Sequence, residues 1–264
     1  MLEYCKVNVE IKKTVKAGNS SAVILPKAWL DKEVRVELIK KTHETMLQEV
    51  INIVKEDASL EEIIGVYLVG SYARGEEDRN SDVDILVISA NTDIEMISKG
   101  IYNIFFMSEG LLKWKLESDL FPIGQMIREA RPLINASYLK SIKIEVTEKN
   151  VRWYLDTTKK KLDLIEKILA LYRRERVSDK VAYSLILRAR TLYIMQKLIL
   201  NHEYSKKDFK ELIAKVSGSN NTYNAYLSVK AGLEDTNNAR KEETEKLYFY
   251  LRKQLERVIR LIGH

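Results

Sequence analysis

Five residues within a span of fifteen have the types and spacing to handle a metal-bound triphosphate: Gly70, Ser71, Arg74, Asp82 and Asp84. They lie in residues 66–88, VYLVGSYARGEEDRNSDVDILVI. Side chains alternate along a strand, so Asp82 and Asp84 point the same way. Two carboxylates that close together repel unless a cation sits between them. A Gly-Ser turn that opens a helix at a strand end offers free N–H groups and a hydroxyl to phosphate. Arg74 serves equally well as a phosphate ligand or as the partner of a nearby carboxylate.

The surrounding elements must hold these groups. Residues 66–69 and 85–88 are apolar runs with the length of buried strands, and a polar span separates them. Residues 42–57 carry Met46, Leu47, Val50, Ile51 and Val54 at helical spacing, with Thr42 as the cap. Residues 71–75 are expected to open a second helix. Residues 93–108 show helix-like spacing, with Ile94, Ile97, Ile101, Ile104 and Phe105. Residues 111–120 alternate, with Leu112, Trp114 and Leu116 on one face, and predict a third strand. A helix end precedes Pro132, and Ile142, Ile144 and Val146 alternate as a closing strand.

The ordered combination resembles the DNA polymerase β-like nucleotidyltransferases, above all the minimal ones of prokaryotes. The usual form is GSxARG followed by SDxDLxV. It is met here by Gly70, Ser71, Ala73, Arg74, Gly75, Ser81, Asp82 and Asp84. The resemblance implies an α/β domain with a mixed sheet over residues 43–149, with Asp82 and Asp84 as Mg²⁺ ligands. It implies that Gly70, Ser71 and Arg74 bind the nucleotide, and that a third carboxylate stands on a strand beside the pair. Asp119 is the first candidate for that role and Glu117 the alternative. Two Mg²⁺ ions would hold the attacking and leaving oxygens while ATP or another NTP gives up its nucleoside monophosphate.

Residues 1–42 contain alternating runs at 7–11 and 33–38 that read as strands, a Gly18-Asn19-Ser20 turn, and a Pro26-Lys27 pair that opens one helical turn over 27–31. Three or four short strands in about 40 residues cannot enclose a core alone. A partner is implied, most simply a second copy interleaving its strands. The turn, the apolar residues 22–25 and the Pro-Lys pair resemble the AbrB/SpoVT family of swapped-hairpin domains, notably small archaeal, transposon-associated members. That resemblance implies a homodimer presenting Lys12, Lys13, Lys16, Asn19 and Lys27 to DNA. A module that only dimerises fits the same residues.

Residues 150–264 lack strand signals and carry long amphipathic patterns, which predict an antiparallel bundle of four or five helices. The layout is similar to HEPN-like or substrate-binding helical domains. RNase-active HEPN proteins place a histidine after an arginine with four to six residues between them. Arg188 and Arg190 have none there. The expected fold class is therefore α+β and multidomain: a swapped hairpin, a nucleotidyltransferase domain and a helical bundle.

Charge is segregated along the chain. Residues 1–42 hold nine basic against five acidic groups, residues 43–149 hold 11 against 19, and residues 150–264 hold 24 against 14. The middle is thus acidic and both flanks are basic. The flanks suit phosphate backbones or the acidic middle itself. A single cysteine, Cys5, excludes a disulfide framework and fits the cytoplasm. No apolar run approaches the ~20 residues of a membrane helix and no secretory signal leads the chain, so no membrane partner is expected. His43, His202 and His264 are isolated, which excludes zinc spacing.

Two functions fit these readings. One is a Mg²⁺-dependent nucleotidyltransferase acting on a hydroxyl of a protein, RNA or small molecule, possibly tethered to DNA. The other is a DNA-binding regulator of toxin–antitoxin or transposon-linked type whose central domain senses nucleotide without catalysis.

Overall fold

The computed structural model describes residues 10, 12, 14–36, 42–78, 81–171, 173, 175–235 and 237–263. Two compact units divide the chain, Met1–Lys41 and Thr42–His264.

In the first unit, strands β1 (Val15–Ala17) and β2 (Ser20–Ala22) form an antiparallel hairpin around Gly18 and Asn19. Gly18 adopts φ +61°, the left-handed conformation the turn requires. A 3₁₀ turn follows at Lys27–Trp29, where one helical turn is expected. Residues 32–36 have no regular structure, against the expected strand over 33–38, whose last two residues lie outside the described ones. The strand expected over 7–11 lies outside them too, apart from Glu10. None of the unit's described residues is buried.

The second unit is built on a five-stranded mixed sheet. Helix α1 (His43–Val54) leads into β3 (Ile63–Val69), the short helix α2 (Gly70–Arg74) and β4 (Val83–Ser89). A hairpin of β5 (Ile94–Lys99) and β6 (Tyr102–Ser108) follows. Then come α3 (Glu109–Ser118), α4 (Ile123–Glu129), β7 (Arg131–Ile134) and α5 (Ala136–Ser141). The strand order is β5-β6-β4-β3-β7, with β4 and β6 parallel and the other pairs antiparallel.

Both faces of the sheet are covered, which is why β3 and β4 read as continuous apolar runs. Val66, Leu68, Ile85 and Val87 pack toward Met46, Val50 and Val54 of α1. Tyr67, Val69, Leu86 and Ile88 face Leu112 of α3 and Ile123 and Ile127 of α4. Asp84 shares the parity of Leu86 and Ile88, so its carboxylate leaves the sheet on the α4 side.

Three expected elements take another form. Residues 93–108 are the β5–β6 hairpin and not a helix. Gly100, at φ +64°, turns the chain, and a bulge between Ile94 and Ile97 breaks strict alternation, so the apolar spacing mimics a helix. Residues 111–120 are mostly helix α3 and not a strand, capped by Ser108, which accepts from the Leu111 amide at 3.0 Å. Leu112 and Leu116 satisfy both periods, and Trp114, expected to share their face, is 55% exposed. Residues 142–147 have no regular structure where a closing strand is expected.

The remaining chain is helical. α6 (Glu148–Leu171), α7 (Asp179–Ile199), α8 (Lys206–Ser217), α9 (Asn221–Lys230) and α10 (Lys241–Ile262) share one core, with a two-residue ladder of β8 (Arg176–Val177) and β9 (Ala239–Arg240). Leu120 and Phe121 are buried in that same core. The α3–α4 corner thereby joins sheet and helices. Buried Asp179 fixes the start of β9 by accepting from the amides of Asn238 (2.7 Å) and Ala239 (3.0 Å).

Candidate active site

A cleft of about 800 Å³ lies between the sheet and the helices of the second unit. Gly70, Ser71, Arg74, Asp82 and Asp84 all line it. The structure thus brings the five residues of the motif to one cleft. The register explains how: Val69, at the end of β3, pairs with Asp84 on β4, so the Gly-Ser turn and the carboxylate meet at one sheet end.

Gly70 has φ +70°, and a Cβ there would collide with a carboxylate oxygen of Asp84. Glycine is thus required twice, for its backbone and for this close approach. Asp84 is partly buried and its pKa is raised. Burial is the main cause, and the neighbouring Asp82 and Glu129 add to it, while a hydrogen bond from Asn103 and the charge of Arg74 oppose it. Such crowding of negative charge is relieved by a cation.

Among the described residues no group of three or more His, Cys, Asp or Glu converges as a metal site. Asp82 and Asp84 are a pair. A hard cation that takes one or two carboxylates and completes its shell with phosphate oxygens and water suits that pair, and Mg²⁺ is such a cation.

The third carboxylate at this site comes from α4. Glu129 accepts from the Gly70 amide at 2.8 Å through Oε1, and from Arg74 Nη1 at 2.6 Å and Gln125 Nε2 at 3.1 Å through Oε2. It therefore ties both ends of α2 to α4. Arg74 also pairs with Glu76 at 2.8 Å, so this arginine serves carboxylates in the folded chain. The Gly70 amide, expected to face phosphate, is likewise taken by Glu129. Arg131 holds α2 from a third side, donating from Nε to the Ala73 carbonyl at 2.9 Å.

Asp119 and Glu117 are not among the cleft residues. Asp119 ends α3, where it accepts from the Tyr154 hydroxyl at 3.0 Å and lies 3.4 Å from Lys115 Nζ. Glu117 is exposed and borders a separate, smaller cavity. The strand beside Asp84 is β6, and the residue in register with Asp84 is Asn103. Both Asn103 and Glu129 escape a reading of the sequence. Asn103 lies in residues that mimic a helix, and Glu129 is 45 positions from Asp84 with nothing local to show which way it faces.

The opposite wall comes from the helices: Arg190 of α7, Tyr204, Lys206 of α8, and Tyr226 and Lys230 of α9. Two guanidinium groups approach the Tyr204 ring, Arg74 at 5.3 Å and Arg190 at 5.6 Å from its centroid. The walls are pinned together at Glu76, which accepts from the Lys206 amide at 2.8 Å. Although burial opposes ionisation of Glu76, its pKa is lowered by Arg74 and by this amide. The Lys206 ammonium is 3.8 Å from Asp78.

Residues 47–175 match the family model of the nucleotidyltransferase domain. The matched segment, just under half of the chain, spans the sheet and α6. The protein is accordingly an enzyme of the nucleotidyltransferase class, which moves a nucleoside monophosphate from a nucleoside triphosphate. The sequence matches no curated protein. Among solved structures it is similar to the spectinomycin adenyltransferase AAD(9) from Enterococcus faecialis, solved with ATP and spectinomycin. Identity is 16% and the TM-score 0.44, over 79% of this chain and 99% of that one. It is also similar to a nucleotidyltransferase-like protein from Exiguobacterium sibiricum, with 14% identity and a TM-score of 0.38, over 83% of this chain and 77% of that one.

Of the sites expected in the first unit, Lys12, Lys16, Asn19 and Lys27 are exposed, and Lys12 pairs with Glu10 at 3.1 Å. Lys13 lies outside the described residues. No helix among the described residues is long and apolar enough to cross a membrane.

Proposed function

We propose that the cleft transfers a nucleoside monophosphate from a Mg²⁺-bound NTP, ATP being the first candidate, to an acceptor oxygen. One observation carries this reading: the Asp82–Asp84 pair and the Ser71 turn face Arg190 and Lys206 across a single cleft. Acidic groups on one side suit metal, and cations on the other suit the triphosphate.

Asp82 and Asp84 would hold the Mg²⁺, which neutralises charge building on the α-phosphate and on departing pyrophosphate. Ser71 offers its hydroxyl and amide to the phosphates. Arg190 lines the cleft and would offer its guanidinium to a phosphate oxygen. Glu129 holds α2 so that Ser71 and Asp84 keep their spacing. It is a positioning residue, since both its oxygens are already engaged.

The first unit adds a tether. Its described residues bury nothing, and Ile24, Leu30 and Val36 are each about 70% exposed. Pairing with a second copy would cover them, and Lys16, Asn19 and Lys27 would then be offered to DNA. The AbrB-like and HEPN-like readings of the flanking regions belong to this proposal.

The test uses α-labelled NTPs, one at a time with Mg²⁺, and wild-type protein beside Asp84→Asn. Label transferred to an acceptor by the wild type alone supports the assignment. Mg-dependent NTP binding with no transfer to any fraction would leave a nucleotide sensor.

A further inference from the structure

We propose that the nucleoside of the NTP lies along helix α4, with a ribose hydroxyl on Gln125 and the base held between α4 and α9. The proposal rests on the reading of the cleft as a nucleotidyl-transfer site and names the residues that select its nucleotide.

Pro122, Gln125, Met126 and Glu129 all line the cleft, and their spacing of three and four residues puts them on one face of α4. Their chemistry changes along that face. Glu129 marks the phosphate end, because it accepts from the Gly70 amide of the Gly-Ser turn. Gln125 and Met126 stand side by side one turn away, about 5–6 Å along the helix, and Pro122 is a further turn on, at about 10 Å. A nucleotide presents its parts in the same order: phosphate, ribose, base.

Gln125 is oriented by its neighbour. Its Nε2 donates to Glu129 Oε2 at 3.1 Å. An ionised carboxylate accepts and does not donate, so the amide cannot turn over without losing this bond. The Gln125 Oε1 is left to a ligand, since no donor among the described residues reaches it. A carbonyl oxygen needs a donor, and the ribose hydroxyls are the donors that a nucleotide carries next to its phosphates.

Apolar surface remains for the base. On α9, Tyr223, Tyr226, Leu227 and Lys230 recur at helical spacing and line the cleft. Tyr226 is backed by Tyr183, the two rings stacked with centroids 5.5 Å apart. Leu227 is 42% exposed although it is apolar and lines the cleft, and Pro122 of α4 is exposed too. Phosphates gain nothing by covering such surface, whereas the faces of a planar base do. Met126, between Pro122 and Glu129 on the same face, supplies a deformable apolar side chain that can follow a ring.

The experiment titrates full-length protein, with Mg²⁺ present, with ATP, 2′-deoxy-ATP, 3′-deoxy-ATP and inorganic tripolyphosphate. One of the two deoxynucleotides should bind about tenfold more weakly than ATP, the scale of an acceptor left without its donor. Gln125→Leu should bring that ratio close to one. A residue that merely braced Glu129 would weaken all three nucleotides alike and keep the ratio. Leu227→Asn should weaken ATP about fivefold or more and leave tripolyphosphate unchanged. The proposal is overturned, and nucleotidyl transfer left standing, by any of three results: equal binding of ATP and both deoxynucleotides to the wild type, a ratio that survives Gln125→Leu, or a Leu227→Asn variant that binds ATP normally or loses tripolyphosphate as well. Wild-type protein that binds neither Mg-ATP nor tripolyphosphate and transfers label from no NTP overturns both.

Discussion

The two walls of the cleft are built in opposite ways. On the sheet wall, the Gly-Ser turn and both aspartates come from fifteen consecutive residues, and one β-register brings them together. On the helical wall, Arg190, Tyr204, Lys206, Tyr226 and Lys230 come from three helices and a loop spread over 41 residues. The sheet wall is acidic and locally encoded, while the helical wall is basic and assembled by packing. Charge opposition is what the walls share, and it is what a metal–triphosphate needs from both sides. A motif can set the chemistry, while the binding surface is left to the tertiary contacts that close over it.

Breaking the sheet wall should have the largest effect. Asp84→Asn is expected to lower transfer by about a thousandfold or more, the scale of several kcal/mol of lost charge stabilisation. Because the Asp84 pKa is raised, its charged form disfavours the metal-free fold. The same variant should therefore melt no lower than wild type without metal at pH 7. A fall of several degrees would show that the carboxylate is structural.

Breaking the helical wall should act on binding. Arg190→Ala is expected to raise the KM for NTP about 10- to 100-fold, the equivalent of about 1.5–3 kcal/mol for a lost bond to a charged group. The folded state should be little changed. Equal loss of kcat with unchanged KM would assign Arg190 to the transition state and not to the ground-state triphosphate.

The link between turn and α4 should show intermediate behaviour. Glu129→Gln keeps the shape but weakens the pairing with Arg74, whose side chain is only 13% exposed. A loss of about 1.5–3 kcal/mol in stability is expected, with a higher KM for NTP and a smaller fall in kcat. Urea unfolding and steady-state kinetics would separate the two.

The smallest effect belongs to the pin between the walls. The Glu76 pKa is lowered in the fold, so its stabilisation is present above about pH 4.5 and lost as the pH falls through the lowered value. Glu76→Gln should cost about 1–2 kcal/mol at pH 7 and flatten the acid limb of stability below pH 4.5. An unaltered acid limb would show that Lys206 is held without it.

How much could be read beforehand follows from how far apart the partners lie. The strands expected over 66–69 and 85–88, which extend to 63–69 and 83–89, and the cap at Thr42 are local features, and they appear where the residue pattern puts them. The β5–β6 hairpin and α3 exchange the expected types, because apolar spacings of three and four residues are compatible with a bulged strand, and alternation at Leu112 and Leu116 with a helix. That exchange moves the search for a third acid to Glu117 and Asp119 and hides Asn103. Helix α9 escapes because its buried side includes Thr222, Tyr223, Ala225 and Tyr226, which make a weak apolar stripe.

From the order of residue types along the chain follow the nucleotide-handling turn, the carboxylate pair and a helical second half. Alternation and turn chemistry act over a few residues, so they survive without knowledge of neighbours. Which side chains stand across from Asp84 is decided only in the folded unit. Sheet register selects Asn103, the α4 packing face delivers Glu129, and closure of the helices brings Arg190 and Lys206. Each of these depends on burial of surfaces far apart in sequence, and no local pattern records it.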